Sequence, residues 1–198
     1  FAASKHQALA KGEEIGRRFH SAPVVRLSDA KQMQLGHAAE ADARWRIYAF
    51  AKKSDNSNPG SAIHTLADWL ETNPKSPVVK HTRKGEDIDA VIDFRAVFQQ
   101  TFEQLAYENM PSLLKPKTGK LGLQDHEKVF CVDHKGAGDI FDMRGINRES
   151  GCMVVVRPDQ YVAHVLPLDG YQELAAGIGD GGVWVNLARC LREANAVD

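Results

Sequence analysis

The chain has 198 residues, 43% of them hydrophobic and 26% charged, with 25 Lys and Arg against 26 Asp and Glu for a net charge of −1. Such a balance suits one ordinary globular domain, or one domain with a long appendage, and supplies no overall field for nucleic acid or an anionic membrane surface. No apolar run is long enough to span a bilayer, and the opening FAASKHQALAKGEEIG lacks the continuous apolar core of a signal peptide. The three cysteines, Cys131, Cys152 and Cys190, are odd in number and form no C-x-x-C pair, which fits a reducing, cytoplasmic setting better than a disulfide framework. The first residue is Phe1 rather than Met, so the chain is expected to be cut from something longer.

In chain order, residues 4–16 are polar and Ala-rich and predict a short helix that stops near Gly12 or Gly16. SAPVVRL (21–27) reads as extended, because Ala22 precedes a proline and two valines follow; an acidic turn and a second short extended piece come next. RWRIYAFAKK (44–53) predicts a strand with Trp45, Ile47 and Ala49 on one face and Arg46, Tyr48 and Phe50 on the other. SDNSNPGS (54–61) is a loop, and Ser61 caps a predicted helix whose stripe is Ile63, Leu66, Ala67 and Leu70 and which ends at Asn73-Pro74.

IDAVIDFRAVFQQ (88–100) predicts one strand, or two with a bend; FEQLAYENMPSLL has helical spacing up to Met110-Pro111. KPKTGKLGLQDHEK reads as a long basic loop, VFCVD (129–133) as a short buried strand, and HKGAGDIFDMRGINRESG as mostly loop. A hydrophobic hairpin over 152–168 and a helix from DGYQELAA close the pattern. The order β-α-β-α-β-loop-β-β-α predicts an α/β, thioredoxin-like fold: a mixed central sheet flanked by helices, preceded by an N-terminal extended segment. Expected boundaries are 1–34 for the linker and extended segment, 35–176 for the thioredoxin-like domain and 177–198 for a divergent tail.

The hairpin CMVVVRPDQYVAHVLPLDG is apolar on both faces of its arms, and Pro158 and Asp159 make RPDQ a good type I turn. Strands of this kind are usually covered on both sides. One face is expected to meet the domain's own helices. The other calls for a loop, another domain or another subunit, leaving an ordinary core hairpin and an interface hairpin as the two readings.

RFHSAPVVRL with LGH, RWRIYAFA, LGLQDHEKVFCVD, DIFDMRGI and VVVRPDQYVAHVLPLD occur in that order over residues 17 to about 176. Together they resemble the C-terminal part of the flavin-dependent phenol hydroxylase family of aromatic monooxygenases, V-V-R-P-D-x-Y-V-A being the most specific piece. The resemblance implies a thioredoxin-like domain without redox cysteines that follows the FAD-binding and substrate domains and takes part in subunit contacts. It implies a parent enzyme that ortho-hydroxylates phenols with FAD, NADPH and O2. It also implies that the flavin and catalytic groups lie upstream, so no catalytic, cofactor-binding or metal residue is assigned, no cofactor is expected on the chain itself, and the hairpin is expected to sit against other parts of the larger enzyme. Partners would be the upstream domains and a second copy in a homodimer. In the tail, the family's last helix is interrupted by GIGDGG.

Other motifs have simpler readings. GIGDGG (177–182) matches G-x-G-x-x-G but follows a helix and has no acidic partner downstream, so a turn is the better reading. Thiol redox chemistry, as a free-standing thioredoxin-like protein, would rest on Cys131, Cys152 or Cys190, of which Cys131 is expected to be buried. Asp125-His126-Glu127 and Asp133-His134 have metal-ligand chemistry but contiguous spacing, so their side chains diverge. His164 reads as a hydrogen-bonded core or interface histidine, KPKTGK (115–120) as a solvated loop with a neighbouring acidic patch as the lesser alternative, and Trp45, Tyr48, Phe50 and Trp69 as core rather than a ligand cage. A non-catalytic binding module, marked by an uncovered apolar hairpin face, is the remaining alternative.

Overall fold

Seven strands join into one mixed sheet in the order β2-β1-β7-β4-β3-β8-β9. They are β1 (Pro23–Arg26), β2 (Lys31–Gln34), β3 (Trp45–Phe50), β4 (Ile92–Phe98), β7 (Val129–Val132), β8 (Cys152–Val156) and β9 (Val162–Leu166). β5 (Lys117–Thr118) and β6 (Leu123–Gln124) form a separate two-stranded hairpin. The helices are α1 (Ala62–Thr72), α2 (Pro77–His81), α3 (Ile140–Met143) and α4 (Tyr171–Gly177). This is a computed structural model, and it describes residues 4–56, 58–133, 135 and 138–177.

β3 and β4 pair in parallel, with Arg46 opposite Asp93 and Tyr48 opposite Arg95; the crossover that parallel pairing requires contains α1 and α2. β4 pairs β7 in parallel, and β8 and β9 add antiparallel strands beside β3. A β-α-β unit followed by a β-β-α unit on a mixed sheet is the thioredoxin-like arrangement expected from the order of elements. β1 and β2, from the segment before residue 35, are strands of this same sheet.

Each strand sends alternate residues to two different cores. Ile47, Phe94, Ala96, Val129, Met153 and Val155 face one side, where Ile63, Leu66, Ala67 and Leu70 of α1 cover them. Tyr48, Phe50, Val97, Phe130, Val154 and Val156 face the other, covered by Ala10, Ala22, Leu35, Ile140, Phe141 and Ile146. The strap formed by residues 4–22 adds Leu9, Ile15 and Phe19, the Phe19 ring stacking on Tyr48 at 4.5 Å between centroids.

The strap corrects the interface reading of the hairpin. The second face of β8 is covered by the chain's own N-terminal segment and α3, not by another domain or subunit. The strap also lines the β9 edge: Gly16 N–H donates to Val162 O, Val162 N–H to Arg17 O and Phe19 N–H to Gln160 O. At the hairpin turn Gln160 N–H bonds Arg157 O, completing the expected turn, and Gln160 then takes a left-handed φ of 67°.

Local expectations also need correction. Residues 4–16 hold one 3-10 turn, Gln7–Leu9, instead of a helix. The backbone is drawn into pairing with the 144–147 segment: Gly12 N–H donates to Arg144 O, and Asn147 N–H to Leu9 O. A Cβ on Gly12 would lie 2.8 Å from Arg144 O. The helix predicted from Phe102 up to Met110-Pro111 is two 3-10 turns, Phe102–Gln104 and Tyr107–Asn109, and a third, Ser112–Leu114, follows Pro111. Leu105 is extended, φ −113° and ψ 134°, which breaks the helix and lets Leu105, Met110, Leu113 and Leu114 reach the core separately. The basic loop contains the β5–β6 hairpin, and the 134–151 loop contains α3. The 178–198 part of the expected tail lies outside the described residues.

Candidate functional site

Charges buried at the start of the parallel strands form the most concentrated polar cluster. Register alone brings it about, because Arg46, Asp93 and Arg95 occupy the strap-side positions of β3 and β4. Lys128, at the entry to β7, is fully buried and donates to Asp89 and Asp93, both at 2.7 Å, with Asp125 at 3.3 Å. Arg95 donates to Asp93 at 2.8 Å and to Ala38 O at 2.6 Å. Asp42 receives Arg44 and Arg46, and Arg44 reaches on to Asp89. Four cations thus face four carboxylates. Burial alone would raise the Asp93 pKa, but Arg95 and Lys128 overcome it and hold the carboxyl down at about 2. The network sits at the strand ends opposite those where open α/β sheets bind ligands.

At the ligand-binding end, the turn from β3 to α1 runs through Ala51–Ser61 and contains no cysteine. The start of α1 is already filled: Asp55, itself buried, accepts from Ile63 N–H at 2.9 Å, and Ser61 Oγ accepts from His64 N–H at 3.4 Å. A carboxylate at this position repels the pyrophosphate of a dinucleotide that would otherwise use a helix N-terminus. A solvent-open groove of about 390 Å3, lined by Val25, Phe102, Glu103, Val132, Asp133 and Lys135 among others, offers no such cradle either. The described residues do not fit a flavin or a nicotinamide dinucleotide.

The cysteines are placed apart. Cys131 lies on the α1 side of the sheet and Cys152 on the strap side, both buried and free. Burial pushes the Cys131 thiol up to about 12 and Cys152 higher, the opposite of what a reactive thiolate needs. Cys190 lies outside the described residues.

Asp125, His126 and Glu127 diverge as their contiguity predicts: Asp125 to Lys128, His126 Nδ1 to the Tyr107 hydroxyl at 2.9 Å, Glu127 to Arg26. Asp133 bonds Gln32 and the Lys135 N–H, and His134 lies outside the described residues. No group of three His, Cys, Asp or Glu is placed to hold a metal among the described residues. His164 Nδ1 accepts from the Val165 N–H at 3.0 Å, and burial lowers its pKa. Trp45, Tyr48 and Phe50 are core; Trp69 is half-buried and stacks on Tyr171 at 5.0 Å. Lys115 donates to Glu108 O, while Lys117 and Lys120 are exposed on the β5–β6 hairpin. Of GIGDGG, Gly177 ends α4 and the rest lies outside the described residues.

Sequence reasoning missed the charge network and Glu13. The signal for the first was present: charged residues at inward positions of two strands that read as buried. Glu13, on the strap, is buried with neither carboxylate oxygen fully hydrogen-bonded; Arg144 Nε stands 3.8 Å away. Burial pushes its pKa up to about 8 against the opposing pull of Arg144 and the His20 backbone.

The described residues thus form a sheet whose two faces are covered by the chain itself. Residues 2–176 match the family model described as phenol hydroxylase, C-terminal dimerisation domain. The chain belongs to this family. It is 53% identical over 174 residues to a 3-hydroxybenzoate 4-monooxygenase from Comamonas testosteroni, covering 87% of this chain and 27% of that protein. An FAD-dependent monooxygenase from Aspergillus terreus is 31% identical over 178 residues, covering 88% and 29%. The chain thus spans less than a third of the length of these relatives. A thioredoxin-like protein from Bacteroides caccae superposes with a TM-score of 0.48 at 13% identity, covering 86% of this chain and 50% of that one, too distant to add to the assignment. No helix among the described residues is long and apolar enough to cross a membrane.

Proposed function

We propose that this chain is the C-terminal domain of a cytoplasmic FAD-dependent aromatic hydroxylase, packed on upstream flavin and substrate domains and joining two copies into a homodimer. The observation that carries this reading is the family match over residues 2–176, with 53% identity to a hydroxybenzoate monooxygenase. The name of that relative describes oxygenation at carbon 4, next to the hydroxyl on carbon 3 of its substrate. This supports ortho-hydroxylation of a phenol, with NADPH as reductant and O2 as oxygen source, for the parent here. The flavin would supply the oxygen chemistry; this domain contributes none of the groups that touch it. Its own residues act by holding a rigid sheet through the buried charge network and by presenting an outer surface to neighbours.

The test is the intact mass of the polypeptide captured from its native source with an antibody to this region. A mass several times that of 198 residues is expected, with FAD bound and phenol-dependent NADPH oxidation. A native polypeptide no longer than this chain, or stoichiometric flavin on the 198-residue chain by itself, would overturn the reading.

A further inference from the structure

The β5–β6 hairpin stands out from the rest of the surface. Each strand has two residues, paired Lys117 to Gln124 and Thr118 to Leu123, and the ribbon joins no other strand among the described residues. Such a ribbon is marginal by itself in water. A tight turn closes it, Gly122 N–H donating to Gly119 O, with both glycines at positive φ, 70° and 59°. Asp125 N–H on Pro116 O extends the ladder by one rung, and Gly119 N–H on Asp87 Oδ2 ties the turn to the body, both 2.8 Å. At its tip Leu121 is 84% exposed and Leu123 66%, more than any other large apolar side chain among the described residues. Two leucines on a tethered ribbon, rimmed by Lys117, Lys120 and Gln124, have the apolar centre and polar rim of a protein contact.

We infer that this hairpin is an arm that docks on a second copy of the chain, Leu121 and Leu123 forming its buried anchor. The inference deepens the dimerisation reading above and rests on it. Three observations choose the second copy as occupant. The family is one of dimerisation domains. Both faces of the central sheet and the start of the β9 edge are covered by this chain itself, while the other edge, β2, shows Lys31, Gln32 and Gln34, a polar edge of the kind that resists pairing. Lastly, the chain enters the described structure at Ser4, whose hydroxyl bonds Val165 O on β9, whereas the arm leads into β7. Those strands are four positions apart in the sheet, roughly 19 Å. The upstream domains proposed above would then join at the far side from the arm.

Sedimentation equilibrium of the 198-residue chain tests this, comparing wild type with L121S/L123S and with M143S as an exposed-methionine control. The wild type is expected to be a dimer. The double variant should raise the dimer dissociation constant about a hundredfold or more, with unchanged melting of the dilute monomer, and M143S should leave the constant as it was. A wild-type dimer that L121S/L123S does not weaken, or that M143S weakens equally, overturns the arm and leaves the dimerisation reading standing. A wild-type chain that remains monomeric overturns both.

Discussion

The two faces of the sheet are closed in contrasting ways. On one, α1, α2 and the turns of 102–114 lay apolar side chains on apolar strands, and the buried Asp55 is taken up by the start of α1. On the other, an irregular strap and the short α3 cover a surface that mixes Tyr48, Phe50 and Phe130 with Arg46, Asp93, Arg95 and, at the margin, Glu13. The first face is held by burial of area, which tolerates many arrangements. The second is held by charges that are satisfied in one arrangement only, so its register is specified by what a mismatch would cost.

The contrast is sharpest at Lys128. Lys128→Ala leaves Asp89 and Asp93 buried without their cation, and a loss of roughly 3–5 kcal/mol is expected in urea unfolding. On the helix face, Leu66→Ala should cost about 3 kcal/mol through lost transfer energy and a cavity, with no change in pH dependence. If the two variants respond alike to pH, the distinction between the faces fails.

The most diagnostic effect belongs to Glu13. Its folded pKa of about 8 lies above the ordinary 4.5, so the folded state keeps a proton that the unfolded state releases. Stability is then full below pH 4.5 and falls as pH rises to about 8. At about 1.4 kcal/mol per unit, the interval sets an upper limit of about 5 kcal/mol, reduced by any local opening toward water. Glu13→Gln removes this slope, so the difference between variant and wild-type stability should grow in favour of the variant from pH 5 to 8. A difference independent of pH would show that Glu13 is ionised in place.

Legibility in the sequence followed the same division. α1 was readable because Ser61 caps it and Ile63, Leu66, Ala67 and Leu70 repeat at helical spacing. β3 was readable to the face, since its alternation is that of a strand between two cores. The strap was not, because its covering residues, Ala10, Ile15, Phe19 and Ala22, follow no period and owe their place to backbone pairing with 144–147 and 160–162. The 102–114 segment misled because helical spacing up to Met110 coexists with an extended Leu105 that only tertiary contact enforces. The hairpin's apolar arms were rightly seen to need two covers, but a sequence does not show that the second arrives from more than a hundred residues upstream.

The Ser4–Val165 hydrogen bond closes a loop of 161 residues. On a ribosome the strap is made long before the hairpin it must lie on. Until β8 and β9 emerge, the strap has no seat, and the strap side of β3 and β4 stays open to water. Contacts of such long range make folding slow and leave apolar strand surface exposed in the meantime. The strap side of this sheet is thus where a nascent chain would first need a chaperone, and where a destabilised variant would first aggregate.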